Sequence, residues 1–182
     1  TCVLFLRNDD LYTLSLQVQV HIVQRGAVPP LIKMLQSTDD YLKEISAFVL
    51  GRLAQDTHNQ AGIAQNNGIM PLLELLESEN AYVQRHAAFA LHSLAQNEDN
   101  AASLVTLGAV PRLRNGGFIL QCTKDSVYAT LKTIGDNIHG QVLCHLLHMM
   151  RAGKKKVRRL VALSLALVCS PNHYKTVFID DN

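Results

Sequence analysis

The chain contains the stretch PLIKMLQSTDDYLKEISAFVLGRLAQDTHN, residues 30–59, and repeats it at a shift of 41 as PLLELLESENAYVQRHAAFALHSLAQNEDN, residues 71–100. Both copies place apolar residues every three or four positions, which is the spacing of one face of an α-helix. The repeat therefore predicts two successive helical units of the same design. Identical pairs include Pro30/Pro71, Leu31/Leu72, Leu35/Leu76, Ser37/Ser78, Ala47/Ala88, Phe48/Phe89, Leu50/Leu91, Leu53/Leu94, Ala54/Ala95, Gln55/Gln96 and Asn59/Asn100.

The length of the repeat indicates the class of fold. A helical period near forty residues is typical of armadillo and HEAT repeats, in which each unit has two or three helices. Such units cannot bury their apolar faces alone, so they stack into a superhelix with a long groove. We predict an all-α fold, an armadillo-repeat right-handed superhelix or α-solenoid. That architecture binds other proteins, and we expect no enzyme activity.

Composition and charge narrow the range of partners. The chain has 182 residues, 48% of them hydrophobic, and its formal net charge is +2. That balance does not predict a nucleic-acid surface, which needs a concentrated basic stripe. No apolar run reaches the length of a membrane span. We expect protein partners, no direct contact with nucleic acid and no contact with a membrane.

The cysteines indicate a reducing compartment. No two of them form a CxxC pair, and they are scattered through segments with helical pattern. Buried, reduced thiols are the better interpretation, and they suit an intracellular protein. The expected location is the nucleus, the cytoplasm or both. The four residues are Cys2, Cys122, Cys144 and Cys169.

Each clear unit is predicted to hold three helices. In the second unit the first helix covers Asn59–Gln65, and Gly68 is expected to take the left-handed backbone that ends it. Pro71 stands near the start of the second helix, where its missing N–H does no harm. The third helix covers Ala81–Gln96.

The units divide the chain into five predicted parts. A fourth copy is supported by matches at a shift of 74 from the second, among them Leu91/Leu165. Leu50, Leu91 and Leu165 then share one position and are predicted to be almost fully buried. The parts are an atypical N-terminal segment (1–16), two armadillo repeats (17–67 and 68–107), a degenerate repeat whose second helix is broken at 114–117 (108–141), and a repeat truncated at the start of the next (142–182).

The third helices carry the candidate partner-binding residues. Side chains spaced i, i+4 and i+8 lie along one side of a helix, and stacking should place such rows side by side in the groove. The predicted groove residues are Glu44, Phe48 and Arg52 in the first unit, Arg85, Phe89 and Ser93 in the second, and Arg159 continuing the row. A core role for the two phenylalanines is the alternative.

Two other functional classes are disfavoured. Importin-type transport receptors hold basic peptides with an array of Trp and Asn, whereas this chain has no Trp and places Arg52, Ser93 and Leu167 at the Asn positions. An enzyme or metal centre would have to use Cys144, His145 and His148, which lack a further ligand in register. A core or groove-lining role is favoured for these three, and we expect no catalytic residue, no cofactor and no metal.

One basic run, GKKKVRR at residues 153–159, has two interpretations. It is either a solvated turn entering a third helix, with Val157 buried, or a nuclear-import signal or anion-binding patch. The first is favoured, because a folded helix presents an extended import signal poorly.

Several segments resemble the armadillo half of plant armadillo-repeat BTB/POZ proteins of the ARIA type. The likeness covers Val20–Asn182 and includes the degenerate third unit, whereas Thr1–Gln19 departs from the family and no BTB domain occurs in these residues. The segments are HIVQRGAVPPLIKML (21–35), SAFVLGRLAQDTHNQAGIA (46–64), Ala87–Asn100, Lys124–His139 and Thr176–Asn182.

This resemblance implies a specific biological role. It implies a nuclear adapter whose armadillo region grips transcription factors in hormone or cell-cycle control. A BTB half would dimerise and dock a cullin-type ubiquitin ligase. The present residues would supply only the grip on the transcription factor.

Overall fold

The computed structural model describes residues 22–168, and these residues form helices and no β-strand. The all-α prediction is confirmed for this range. Within it, no helix is both long enough and apolar enough to cross a membrane. The helices are α1 (Val28–Met34), α2 (Asp40–Leu53), α3 (Thr57–Gln65), α4 (Ile69–Leu75), α5 (Ala81–Ala95), α6 (Glu98–Thr106), α7 (Ala109–Asn115), α8 (Gln121–Asn137), α9 (Gly140–Ala152) and α10 (Lys155–Val168).

Side-chain caps fix the starts of four helices. The first backbone N–H groups of a helix have no partner within the helix, and a short polar side chain just before it can accept from them. Asp39 accepts from the N–H of Tyr41 at 2.9 Å at the start of α2, and Asn80 accepts from two N–H groups of α5. Asp56 and Asn97 do the same for α3 and α6.

The turn between α3 and α4 differs from the prediction. Asn67, not Gly68, takes the left-handed backbone, with φ of 62°, while Gly68 has φ of −71°. Asparagine tolerates this region better than most residues. Gly68 is required for a different reason: a Cβ there would lie 2.8 Å from Cγ2 of Ile63. The glycine therefore provides close packing, and the asparagine provides the turn.

The third helices of successive units form the spine of the structure. α2 packs side by side with α5, and α5 with α8, while α3 packs against α6. Small buried residues such as Ala47, Ala88 and Ala90 let these helices approach closely. Leu50 and Leu91 have no exposed surface, which confirms that they occupy equivalent core positions.

Buried amides tie third helices to the short helices that follow them, and one of them also joins two units. The Nδ2 group of Asn59 donates to the carbonyl of Leu53, and that of Asn100 donates to the carbonyl of Leu94, each at 3.1 Å. Asn100 also donates to the carbonyl of Gln60, forty positions earlier. The identical pair Asn59/Asn100 thus supplies hydrogen bonds to carbonyls at the ends of third helices.

A buried glutamine of α5 holds the extended segment of the degenerate third unit. α7 ends at Asn115, as the glycines at 116 and 117 predict, and an extended segment leads to α8. Gln84 is buried, and both polar atoms of its side-chain amide bind this segment. Nε2 donates to the carbonyl of Gly117 at 3.1 Å, and Oε1 accepts from the N–H of Ile119 at 3.3 Å.

The fourth unit does not continue the stack of third helices. Only residues 138 and 139 separate α8 from α9, which leaves no room for a short first helix. α9 and α10 pack on each other, α9 rests on α6, and α10 rests on α6 and α7. Leu165, predicted to be buried like Leu91, is only half-buried, so that prediction is wrong. Three predicted segments lie wholly or largely outside the described residues: 1–16, the first helix at about 17–25, and 169–182.

Candidate protein-binding strip

The stacking of α2 on α5 brings the two predicted rows of side chains together. We call this surface the third-helix strip. Contacts across the helix pair show the alignment: Oε1 of Glu44 lies 3.8 Å from Nδ1 of His86, and the rings of Phe48 and His86 have centroids 5.2 Å apart. The strip consists of Tyr41, Glu44, Phe48 and Arg52 on α2, Tyr82, Arg85, His86, Phe89 and Ser93 on α5, and Asp125 on α8.

A glycine creates the seat for one of the aromatic rings. A Cβ at Gly51 would lie 2.5 Å from Cδ1 and 2.8 Å from Cε1 of Phe89, and 3.2 Å from the Cα of Ala90. The edge of the Phe89 ring therefore occupies the space above Gly51. Phe48 and Phe89 are both half-buried, so each ring packs on the spine and also presents part of its surface to the strip.

Replacing Gly51 with alanine is expected to destabilise the protein by about 1 kcal/mol. Alanine in a helix interior normally gains up to about 1 kcal/mol over glycine, but overpacking here costs roughly 1–3 kcal/mol. Gly62→Ala in α3 is the matched control, because a Cβ there meets nothing within 4 Å. Urea melts should show Gly62→Ala equal to or more stable than wild type; a stabilised Gly51→Ala would contradict the seat described for Phe89.

His86 is a neutral side chain at the centre of the strip. Burial, and then the charge of Arg85, lower the pKa of its imidazole from 6.5 to about 4. Its contact with Glu44 is therefore not an ion pair at neutral pH. Among the described residues, the buried Nδ1 atom has no hydrogen-bond partner. The imidazole thus offers an unsatisfied nitrogen between the two helices.

The remaining predicted strip residues differ in how much surface they present. Arg52 and Arg85 are half-buried. Ser93 is 6% exposed, and its hydroxyl donates to the carbonyl of Phe89 at 3.2 Å. The strip can therefore offer guanidinium groups and aromatic surface, whereas Ser93 has little surface left for a partner.

Two tyrosines belong to the strip and were missed by the sequence interpretation. Tyr41 and Tyr82 are 66% and 57% exposed, three residues before Glu44 and Arg85 on the same side of their helices. The signal was present, because Tyr41 and Tyr82 are identical residues at the repeat shift of 41. Tyrosine and arginine are residue types that dominate binding energy at interfaces.

The strip ends at α8. Buried Val127, Leu131 and Ile134 of α8 match buried Ala87, Leu91 and Leu94 of α5 at a shift of 40, which puts Asp125 in the position of Arg85. Asp125 is exposed. Arg159 does not continue this row, because it stands on α10, which packs on α6, α7 and α9. The charges across the strip thus alternate from Glu44 to Arg85 to Asp125.

The cysteine and histidine residues of α9 lie elsewhere. α9 buries Val142 and Leu146 and exposes Cys144, His145 and His148. The interpretation of Cys144 as a buried thiol is therefore wrong, and so is a core role for the three residues, whereas a groove-lining role stays a prediction. Within residues 22–168, no group of three potential metal ligands comes together. The absence of a metal and of a cofactor stays a prediction.

These helices and their side-by-side third helices define an armadillo-repeat α-solenoid. The family described as Cnd1, non-SMC mitotic condensation complex subunit 1, matches residues 5–163, and the chain belongs to this family.

Curated relatives come from Arabidopsis thaliana. The chain is 65% identical over 132 residues to "ARM repeat protein interacting with ABF2", covering 72% of this chain and 19% of that protein. It is 60% identical over 144 residues to "Armadillo BTB Arabidopsis protein 1", covering 79% of this chain and 20% of that protein. The resemblance to plant armadillo-repeat BTB proteins is confirmed, and the chain spans about a fifth of the length of these relatives.

Solved structures support the fold. A designed armadillo repeat protein in complex with the peptide (KR)4 has a TM-score of 0.60 and 15% identity, and the match covers 82% of this chain and 67% of that one. A second designed armadillo repeat protein has a TM-score of 0.62, 15% identity and coverage of 82% and 68%. The predicted armadillo solenoid is therefore confirmed.

Proposed function

We propose that this chain is the partner-binding part of an armadillo adapter, and that the third-helix strip binds an extended segment of a transcription factor. The observation that carries the proposal is the strip itself: exposed tyrosines and half-buried arginines, aligned across two packed helices. The name of one relative, which interacts with ABF2, supplies the class of partner. The armadillo relatives, rather than the condensation family, support this function, because they are 60–65% identical to this chain.

The charges of the strip favour a partner of mixed character. Glu44 and Asp125 flank Arg85, so a segment with alternating charge and apolar side chains would meet complementary groups. A uniformly basic peptide would meet Arg52 and Arg85 near the middle of the strip. This arrangement disfavours an importin-type receptor as the alternative function.

We further propose the cellular setting that such an adapter requires. A BTB domain beyond these residues would recruit a cullin-type ubiquitin ligase or act in transcriptional co-regulation, and the armadillo part would choose the target. The proposed location is the nucleus, the cytoplasm or both. No reaction is assigned to the strip.

Charge reversal of the strip tests the proposal. The double variant Arg52→Glu/Arg85→Glu is expected to bind ABF2 at least tenfold more weakly than wild type, because both cations lie among the aromatic anchors. Isothermal titration calorimetry measures the affinity, and circular dichroism should show unchanged helix content. Arg25→Glu/Lys33→Glu, a pair of exposed sites beside and on α1, makes the same change of net charge away from the strip.

Two results would overturn the assignment of the strip. One is equal affinity of wild type and Arg52→Glu/Arg85→Glu for ABF2. The other is an equal loss of affinity in the control pair, which would mean that net charge alone governs binding.

A further inference from the structure

The last two described helices form a strongly basic region. Residues 140–168 contain six Lys and Arg residues and no Asp or Glu. Taking these six from the seventeen basic residues of the chain leaves eleven against fifteen acidic ones. The positive charge of the chain is therefore concentrated in one place. The six residues are Arg151, Lys154, Lys155, Lys156, Arg158 and Arg159.

Ion pairs within the described residues do not account for these cations. All six are exposed, and none forms an ion pair with another described residue. Lys155, Lys156 and Arg158 stand in the first turn of α10, where the helix dipole disfavours positive charge. Lys155 and Arg159 are also four residues apart, a spacing at which like charges repel. Local stability alone gives no reason for this arrangement.

The outer face of α10 changes character along its length. The inner face packs on the neighbouring helices through buried Val161 and Ser164, and Leu160 lies over Gly108. One turn beyond the cations, the outer face carries Ala162 and Leu163, both exposed, with Leu163 at 43%. A merely solvated face would carry polar side chains there. The outer face is basic first and apolar afterwards.

We propose that this outer face of α10, formed by Lys155, Lys156, Arg158, Arg159, Ala162 and Leu163, is a second docking surface for an acidic segment of a partner protein that also carries apolar side chains. Carboxylates would pair with the four cations, and an apolar side chain would cover Leu163. This surface is independent of the third-helix strip, since α10 packs on α6, α7 and α9.

The chemistry of the face disfavours the other anionic partners. Residues 140–168 contain no Phe, Trp or Tyr on which bases could stack, and acidic residues outnumber basic ones in the rest of the chain. A membrane-surface helix inserts a continuous apolar face into lipid, but the apolar face of α10 is occupied by α6 and α7. An acidic polypeptide is the partner that matches both halves of the outer face.

Fluorescence anisotropy with the whole chain tests this proposal. The probe is a labelled peptide of alternating Asp and Leu pairs, compared with labelled poly-glutamate, a DNA duplex of random sequence and vesicles containing phosphatidylserine. The Asp–Leu peptide is expected to bind at least tenfold more tightly than poly-glutamate. Preferential binding to DNA or to the vesicles would overturn the assignment, as would equal binding of both peptides.

Two variants separate binding from folding. Lys155→Glu/Arg159→Glu should weaken peptide binding at least tenfold, yet its melting temperature should equal or exceed that of wild type, because acidic residues suit a helix N-terminus. Leu163→Ser should weaken binding of the Asp–Leu peptide without changing the affinity for poly-glutamate. Arg25→Glu/Lys33→Glu is the matched charge control and should retain binding. Unchanged affinity in Lys155→Glu/Arg159→Glu would overturn the proposal.

Discussion

Asn100→Asp is expected to destabilise the fold by roughly 3–5 kcal/mol, although the two side chains have the same shape. The Nδ2 group of Asn100 donates to the carbonyls of Leu94 and Gln60, both at 3.1 Å. A carboxylate would place an oxygen against these two carbonyl oxygens in a site that is 97% buried. An unsatisfied buried group costs about 1–3 kcal/mol, and a charged one costs more.

Chemical denaturation followed by circular dichroism measures this effect. The matched control is Asn66→Asp, where the same amide donates to the carbonyl of Gly62 at 2.8 Å but is exposed to water. The control should change stability by less than about 1 kcal/mol, as is usual for surface sites. Similar losses in both variants would mean that Asn100 does not join the two units as described.

Leu91→Ala is expected to cost about 2–5 kcal/mol, the range for truncating a fully buried leucine. Leu91 has no exposed surface and lies in α5, which packs against both α2 and α8. The neighbouring helices are fixed on two sides, so the cavity cannot readily collapse.

Leu165→Ala provides the comparison in the same experiment. The repeat pattern treats Leu91 and Leu165 as equivalent, but Leu165 is only half-buried on α10. Its truncation should cost clearly less, about 1 kcal/mol or below, because less apolar surface is removed from the core. Equal losses of stability in Leu91→Ala and Leu165→Ala would mean that the two leucines are equally buried, contrary to the structure.

The alignment of the two repeats predicted burial and helix pairing correctly where the sequence of one unit matches that of the next. Leu50 and Leu91 fall in the core because the same apolar spacing surrounds them, and Phe48 aligns with Phe89 for the same reason. The register failed where the connection changed. Matches at a shift of 74 placed Leu165 in the core and Arg159 in the row, but two residues between α8 and α9 cannot hold a first helix. Connection length, not side-chain identity, redirected the fourth unit.

Other differences between prediction and structure arose from tertiary contacts, which the identity of a single residue does not predict. Asn67 and Gly68 both suit left-handed backbone; Asn67 takes it, while Gly68 is needed because Ile63 leaves no room for a side chain there. Gln84 looks like a surface residue in its helix, but it is buried because the extended segment after α7 folds onto it. The burial of Gln84 thus depends on residues more than thirty positions away in the chain.

Because the row of side chains ends at α8, the described part of the strip can bind only a peptide segment of limited length. Packed helices lie about 8–10 Å apart, so three of them measure about 16–20 Å from the first axis to the last. An extended chain advances about 3.3 Å per residue, and about six residues would cross that distance. Alternate side chains of such a chain point to the same side, so about three of the six would face the strip. The recognition proposed for α2, α5 and α8 would thus require only a short linear motif.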